Sequence, residues 1–329
     1  MGEDEEEGLT YAEAGVDIAA SEAATAALLD AASREQDAAF AGIIDLDGQH
    51  LGLTTDGVGT KLLVAEALDR YDTVGIDCIA MNVNDLIAEG LRPIGFVDYL
   101  ALEAPDDALT AEIGRGLANG AALAGITLMG GETAILPEVI DGVDLAGAAV
   151  GIAQPSHRPS GSVEPGDALV GLASSGIHSN GLTLARKAIE RDHAFDDAFP
   201  PGSSHTIGEE LLEPTRIYAG VVEVFEDFDI HACAHITGGG LQNLLRMAKQ
   251  QFVIDNPPEV PPVFEFIQTC GDISIEEMYN TFNMGIGFVL AVDAAVADDI
   301  AMAVDGDIIG HVSTGHGVTI DGVDLEPAN

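Results

Sequence analysis

Short apolar runs that switch between strand-like and helix-like character, several of them closing on glycine-rich polar loops, leave this chain few folds to choose from. Residues 49–55 and 94–101 read as strands, and 126–129 and 144–152 as buried strands. Residues 18–33, 64–69, 74–89 and 108–124 read as helices, the last ending at Gly125. The stretch 154–166 (QPSHRPSGSVEPG) has three prolines and no apolar periodicity, so it marks a boundary. Beyond it strands are expected at 167–173, 231–236 and 285–292, with helices at 182–191 and 241–250. A chain of 329 residues exceeds one ordinary core. The expectation is an α/β (α+β type) fold in two domains, 1–158 and 159–329, with a cleft between them. No fixed-period repeat argues for a solenoid.

Charge narrows the partners. Against 56 Asp and Glu there are only 12 Lys and Arg, a net charge of -44. Nucleic acid would be repelled, and a low-salt solution would leave the fold under self-repulsion that molar salt screens. A cytoplasm of high salt is the expected setting, with the carboxylates spread over a solvated surface. No apolar stretch approaches the length of a membrane helix. The acidic start, with a mobile tail expected at 3–7, does not resemble a secretion signal. Cys78, Cys233 and Cys270 stand alone, which suggests buried thiols rather than zinc ligands or disulfides.

The chemistry-bearing residues sit at the junctions. Thr54 to Lys61 (TTDGVGTK) places Asp56, Gly57, Gly59, Thr60 and Lys61 together. Asp56 suits a magnesium ion and Lys61 suits phosphate oxygens, as phosphoryl transfer requires. The alternative is a turn closed by a surface ion pair. Within the helical run 74–89, Asn84 and Asp85 are adjacent oxygen donors fit for a hard cation, or else buried hydrogen-bonding groups. Glu132 follows two glycines at the end of the strand 126–129 and could ligate a metal or grip a ribose. Two further loops, 174–181 (SSGIHSNG) and 235–240 (HITGGG), look like anion cradles. They contribute Ser175, Ser179 and Asn180, and Thr237, Gly238, Gly239 and Gly240. His178 and His235 lie beside these glycines, where a histidine serves either as a proton shuttle or as a satisfied polar group. The remaining histidines show no metal-ligand spacing, and no nucleophile elbow is present.

These motifs, in this order, resemble the phosphoribosylformylglycinamidine cyclo-ligase (aminoimidazole ribonucleotide synthetase) family. The likeness runs through residues 11–18, 55–61, 74–77, 81–86, 130–133, 174–181, 213–218, 235–240 and 277–285, which is nearly the whole chain. It implies an ATP-dependent ring closure of formylglycinamidine ribonucleotide, with magnesium at Asp56, Asn84 and Asp85 and with Glu132 nearby. It also implies that Lys61 balances charge, that the loops from Ser175 and Thr237 contact phosphates, and that His178 or His235 handles a proton. A potassium requirement stays open. A homodimer built by the amino-terminal sheets is implied as well. The segment 36–42 (QDAAFAG) is shorter than the glycine-rich loop of many members, and 250–262 matches the family poorly. The rivals are relatives with the same ATP-binding fold. A selenophosphate synthetase would carry a reactive cysteine near its start, whereas the first cysteine here is Cys78, and a thiamine-monophosphate kinase would lack the HSNG loop. A non-catalytic acidic binding protein would have lost Asp56, Lys61 or Asp85.

Overall fold

A computed structural model describes residues 8–12, 14–15, 18–32, 40–199 and 204–325. The first sheet has the order β1-β2-β5-β3-β4. β1 (Gly42–Leu46) and β2 (Gln49–Gly57) form a hairpin. Its two-residue turn, Asp47-Gly48, has positive φ at both positions (51° and 84°), the conformation that Asp-Gly favours and that matches strand twist. β5 (Val143–Ala153) lies at the centre, antiparallel to β2 and to β3 (Arg92–Leu102), while β4 (Thr127–Ile135) runs parallel to β3 at the edge. After α1 (Ile18–Ala31) and α2 (Lys61–Leu68), the helices α3 (Val74–Ala88) and α4 (Asp107–Ala124) pack against each other beside this sheet. Their crossing is backbone to backbone, since a Cβ on Gly75 would stand 2.2 Å from the amide nitrogen of Leu117.

Among the described residues, nothing covers the other face of the sheet. Ile44, Leu46, Leu53, Ile94, Val97, Tyr99 and Met129 are all exposed. The strand expected to be buried at 126–129 is therefore an edge. Leu128 and Met129 are 40% and 66% exposed, and the strand continues to Ile135, so Gly130, Gly131 and Glu132 lie in a strand and not in a loop.

The second sheet has the order β12-β11-β8-β10-β6-β9-β7. Its strands are β6 (Ala168–Ala173), β7 (Ile230–His235), β8 (Gln251–Ile254), β9 (Ile286–Val292), β10 (Asp307–Ser313), β11 (Gly317–Ile320) and β12 (Val323–Leu325). All neighbours are antiparallel except β8 with β11. β9 is apolar and buried along its whole length, because it has neighbours on both sides and cover on both faces. The chain passes from one sheet to the other between Ala153 and Ala168, inside the proline-rich stretch. Where a helix was expected at 241–250, a 3-10 helix spans Gly240–Arg246 and the chain enters β8 at Gln251. The Asn243 amide donates to the carbonyls of Gly238 (3.2 Å) and Gly240 (2.7 Å), a local arrangement that competes with α-helical bonding. The acidic segment 3–7 and most of 36–42 lie outside the described residues. Among the described residues no helix is long and apolar enough to cross a membrane.

Candidate active site at the seam between the sheets

Helix α3 is the spine of the seam. Asp77, Met81, Asn84 and Asp85 are spaced so that they fall on one side of it, and the side that carries them meets the second half of the chain. Lys61 opens α2 and is fully buried, as is Asp77. Its Nζ donates to Asp77 Oδ1 (2.9 Å) and to the Glu213 carbonyl (2.6 Å). The same Asp77 oxygen accepts from the Thr215 amide (2.8 Å) and hydroxyl (2.6 Å). Further along, Asn84 Nδ2 donates to the Arg216 carbonyl (2.9 Å) and Asn84 Oδ1 accepts from the Tyr218 amide (3.0 Å). Residues 213–218 are thus laid along α3 as a strap.

This geometry corrects two sequence expectations. Lys61 neither faces phosphate nor closes a surface turn, because its charge is neutralised inside the protein by Asp77. Asn84 is no metal ligand, because both ends of its amide are taken by the backbone of the strap, which is the buried hydrogen-bonding alternative. The segments 213–218 and 74–77 contain Thr215 and Asp77, yet the sequence pattern alone assigns neither a role. The signal was available in principle, since a lysine in so lysine-poor a chain, followed by the apolar run Leu62 to Val64, needs a carboxylate if it is buried.

Asp56 and Asp85 do converge. Asp56 sits near the end of β2 and accepts from the Gly57 amide through Oδ1 (2.7 Å). Burial, with the nearby charge of Asp85 adding to it, pushes its pKa up to about 6, against the opposing effects of the Gly57 amide and His235. Asp85 Oδ1 meets His235 Nδ1 at 2.8 Å, joining α3 to the end of β7. From there the chain enters Thr237 to Gly240. A Cβ on Gly238 would stand 3.4 Å from Asn180 Oδ1, and Asn180 Nδ2 points at Met81 Sδ (3.7 Å), so the two glycine loops and α3 share one seam. Thr60, next to Gly59, bridges to Thr183 with 3.0 Å between the hydroxyls. Ser175 Oγ donates to the Pro214 carbonyl (2.6 Å), and Ser179 Oγ lies 3.3 Å from Thr215 Oγ1, so the strap also anchors the HSNG loop.

Both histidines are built into the hydrogen bonding of the seam. His178 is buried in a left-handed backbone (φ 62°), and its Nε2 accepts from the Ser175 amide (3.2 Å). Burial, followed by the nearby positive groups, holds its pKa well below the usual histidine range, so the ring is neutral. His235 is also fully buried. Glu132 does not join the cluster. It pairs in register with Tyr99, one residue off the row of Asp56, Gly147, Asp98 and Gly131, and alternation turns it to the uncovered face. Among the described residues no three His, Cys, Asp or Glu side chains gather as a metal set.

Residues 35–153 match the family described as AIR synthase related protein, N-terminal domain, and residues 164–322 the corresponding C-terminal domain. A phosphoribosylformylglycinamidine cyclo-ligase from Methanosarcina acetivorans is 45% identical over 318 residues, covering 93% of this chain and 96% of its own. This chain belongs to the phosphoribosylformylglycinamidine cyclo-ligase family. Solved structures share the fold at lower identity. Hydrogenase maturation protein HypE in complex with ATP superposes with a TM-score of 0.64 at 19% identity, over 87% of each chain. Thiamine monophosphate kinase from Aquifex aeolicus gives 0.65 at 18%, over 93% of this chain and 98% of that one.

In this cyclo-ligase family member the triple glycine is held by contact as well as by conformation. Gly240 has φ 54°, and a Cβ there would stand 2.1 Å from the Tyr279 carbonyl oxygen. Gly240→Ala should cost about 2 kcal/mol or more, since both the backbone strain and the clash must be relieved by moving the loop. Denaturant unfolding measures the loss, and an unchanged midpoint would show that the loop shifts freely.

Proposed function

We propose that this chain catalyses the ATP-dependent cyclisation of formylglycinamidine ribonucleotide to 5-aminoimidazole ribonucleotide, with release of ADP and phosphate, in de novo purine biosynthesis. The observation that carries this reading is the convergence, in a chain of this family, of a half-buried carboxylate pair from the N-terminal domain with two amide-rich loops from the C-terminal domain. The reaction must hold two phosphorylated molecules in one orientation, and a seam with several anion-binding loops suits that need. An amide oxygen leaves poorly until it is phosphorylated. ATP supplies that activation at the formyl oxygen, and the ribosyl-bearing nitrogen then closes the ring.

The donor set fits magnesium. Asp56 and Asp85 are hard oxygen donors, each with one oxygen engaged by the protein, and among the described residues no basic side chain bonds Asp56. Two carboxylates without a third side chain match an ion that takes its remaining ligands from phosphate oxygens and water. When bound, magnesium would neutralise charge on the phosphates. Thr60, Gly57 and Gly59 border the same carboxylates, and the loops from Ser175 to Asn180 and from Thr237 to Gly240 supply the phosphate contacts through groups other than the Ser175 and Gly240 amides, which donate within their own loops. His178 and His235 each have Nε2 occupied as an acceptor, so neither is assigned the proton released on ring closure. Residues 1–158 form the ATP and magnesium domain and 159–329 the domain of the phosphate loops. Potassium, as the dominant cation of a salty cytoplasm, is a candidate monovalent activator.

The uncovered apolar face of the first sheet supports a homodimer, with Glu132 at the interface. Sedimentation in molar salt should give twice the monomer mass, and Tyr99→Lys with Leu53→Lys should shift the protein to monomer. A wild-type monomer would remove the dimer from the reading.

The test of function is ADP release on adding formylglycinamidine ribonucleotide in molar potassium chloride with magnesium, following the aminoimidazole product in parallel. Equal amounts are expected, and Asp56→Asn should reduce the rate by about a hundredfold or more without unfolding the protein. ATP use only with another acceptor would overturn the substrate assignment.

A further inference from the structure

His235 stands in an arrangement that its reading as a proton shuttle does not explain. The ring belongs to the second domain, the carboxylate it meets belongs to the first, and the imidazole is entirely buried while the Asp85 side chain is 16% exposed. Asn84, the residue before Asp85, places Nδ2 3.4 Å from His235 Nε2. An amide nitrogen can only donate, so Nε2 is the acceptor and the ring proton sits on Nδ1, aimed at Asp85 Oδ1 at 2.8 Å. Asn84 is itself fixed by the strap, through the Arg216 carbonyl and the Tyr218 amide. A chain of hydrogen bonds thus runs from the strap through Asn84 and His235 to one oxygen of Asp85.

We infer that His235 is a positioning residue that orients Asp85 toward a divalent cation, so that the cation site of the first domain is completed only when the second domain is docked against it. This rests on the reading of Asp56 and Asp85 as the magnesium carboxylates. The physical argument is that a carboxylate with one oxygen held by an N–H donor keeps its other oxygen in a fixed direction. Outer groups that hold a ligand in this way are worth about 10–100-fold in metal affinity. Neither His178 nor any other histidine among the described residues is bonded to Asp85, so a second donor of this kind is not available to replace His235.

The test is manganese(II) binding by the full chain, read from the free-ion electron paramagnetic resonance signal in about 2 M potassium chloride, where surface carboxylates add only a weak and unaltered background. His235→Asn keeps an amide N–H near the position of Nδ1 and should bind within about threefold of wild type, whereas His235→Gln, whose amide extends toward the Nε2 position, should weaken binding by about tenfold or more. Asp85→Asn should abolish the specific component. If Asp85→Asn binds as wild type, the magnesium reading fails and takes this inference with it. If Asp85→Asn loses the ion while His235→Asn and His235→Gln bind equally well, the magnesium reading stands and the positioning role is overturned. Thermal melts of each variant separate lost binding from lost folding. If His235→Gln alone is unfolded, His235→Ala is measured at the same salt, and retention of wild-type affinity by that variant also overturns the role.

Discussion

Lys61→Met should lower the stability of the folded chain by about 3–5 kcal/mol, as expected when one partner of a buried ion pair is removed and the other stays charged. Asp77 is fully buried, and the oxygen that Lys61 contacts is the one that also holds Thr215, so the loss weakens the strap as well. Its second oxygen, Oδ2, is buried without a partner among the described residues, so it offers no other source of compensation. The double variant Lys61→Met/Asp77→Asn should recover most of the loss. It removes both charges while leaving the carbonyl of the introduced amide able to accept from Thr215, and neutral replacement of a buried pair is close to neutral in stability. Denaturant unfolding in molar salt measures both. A phosphate-contacting lysine would behave in the opposite way, with unchanged stability and a raised KM for ATP, and that result would restore the reading made from the loop sequence.

The contrast between Lys61 and Asp56 shows how far the sequence could be read. Alternation of apolar runs located α3, α4, β2, β3 and β5 to within a few residues, because each has a periodic pattern and a breaker such as Gly125 at its end. Short strands with weak patterns escaped, as did the Asp47-Gly48 hairpin, where the turn signal is present but β1 has only five residues to show a pattern. Glycine pairs in the sequence suggest loops, which holds for Gly238 and Gly239 but not for Gly130 and Gly131, which lie in a strand where the Asp98 carboxylate leaves no room for a side chain on Gly131. At the site, residue type and order located the carboxylates and the anion loops. What sequence could not supply was direction. Asp56, Lys61, Asn84 and Glu132 all lie in motifs with the right chemistry, yet pleat alternation turns Glu132 away, and the strap, more than a hundred residues distant in sequence, claims Lys61 and Asn84.

Transfer from about 2 M to about 0.1 M potassium chloride should unfold the protein, because the Debye length grows from a few ångströms to about 10 Å and unpaired carboxylates begin to repel one another across the surface. With 56 acidic and 12 basic side chains, pairing every Lys and Arg would still leave 44 carboxylates without such a partner. Several of the cations are also committed at exposed positions, as in Arg70 with Asp72, Arg92 with Glu223 and Arg115 with Glu112, where a pair is worth about 0–1 kcal/mol. The Lys61–Asp77 pair is shielded from solvent ions, so its contribution should not follow the salt. Wild type and Lys61→Met should therefore lose stability along parallel lines as salt is withdrawn, with a constant gap between them. Far-UV circular dichroism across a potassium chloride series gives both the slope and the gap. Sodium chloride should substitute and sucrose should not if screening is the cause. A chain that stays folded with an unchanged melting point at about 0.1 M would show that the surface carboxylates are compensated in some way other than by mobile ions.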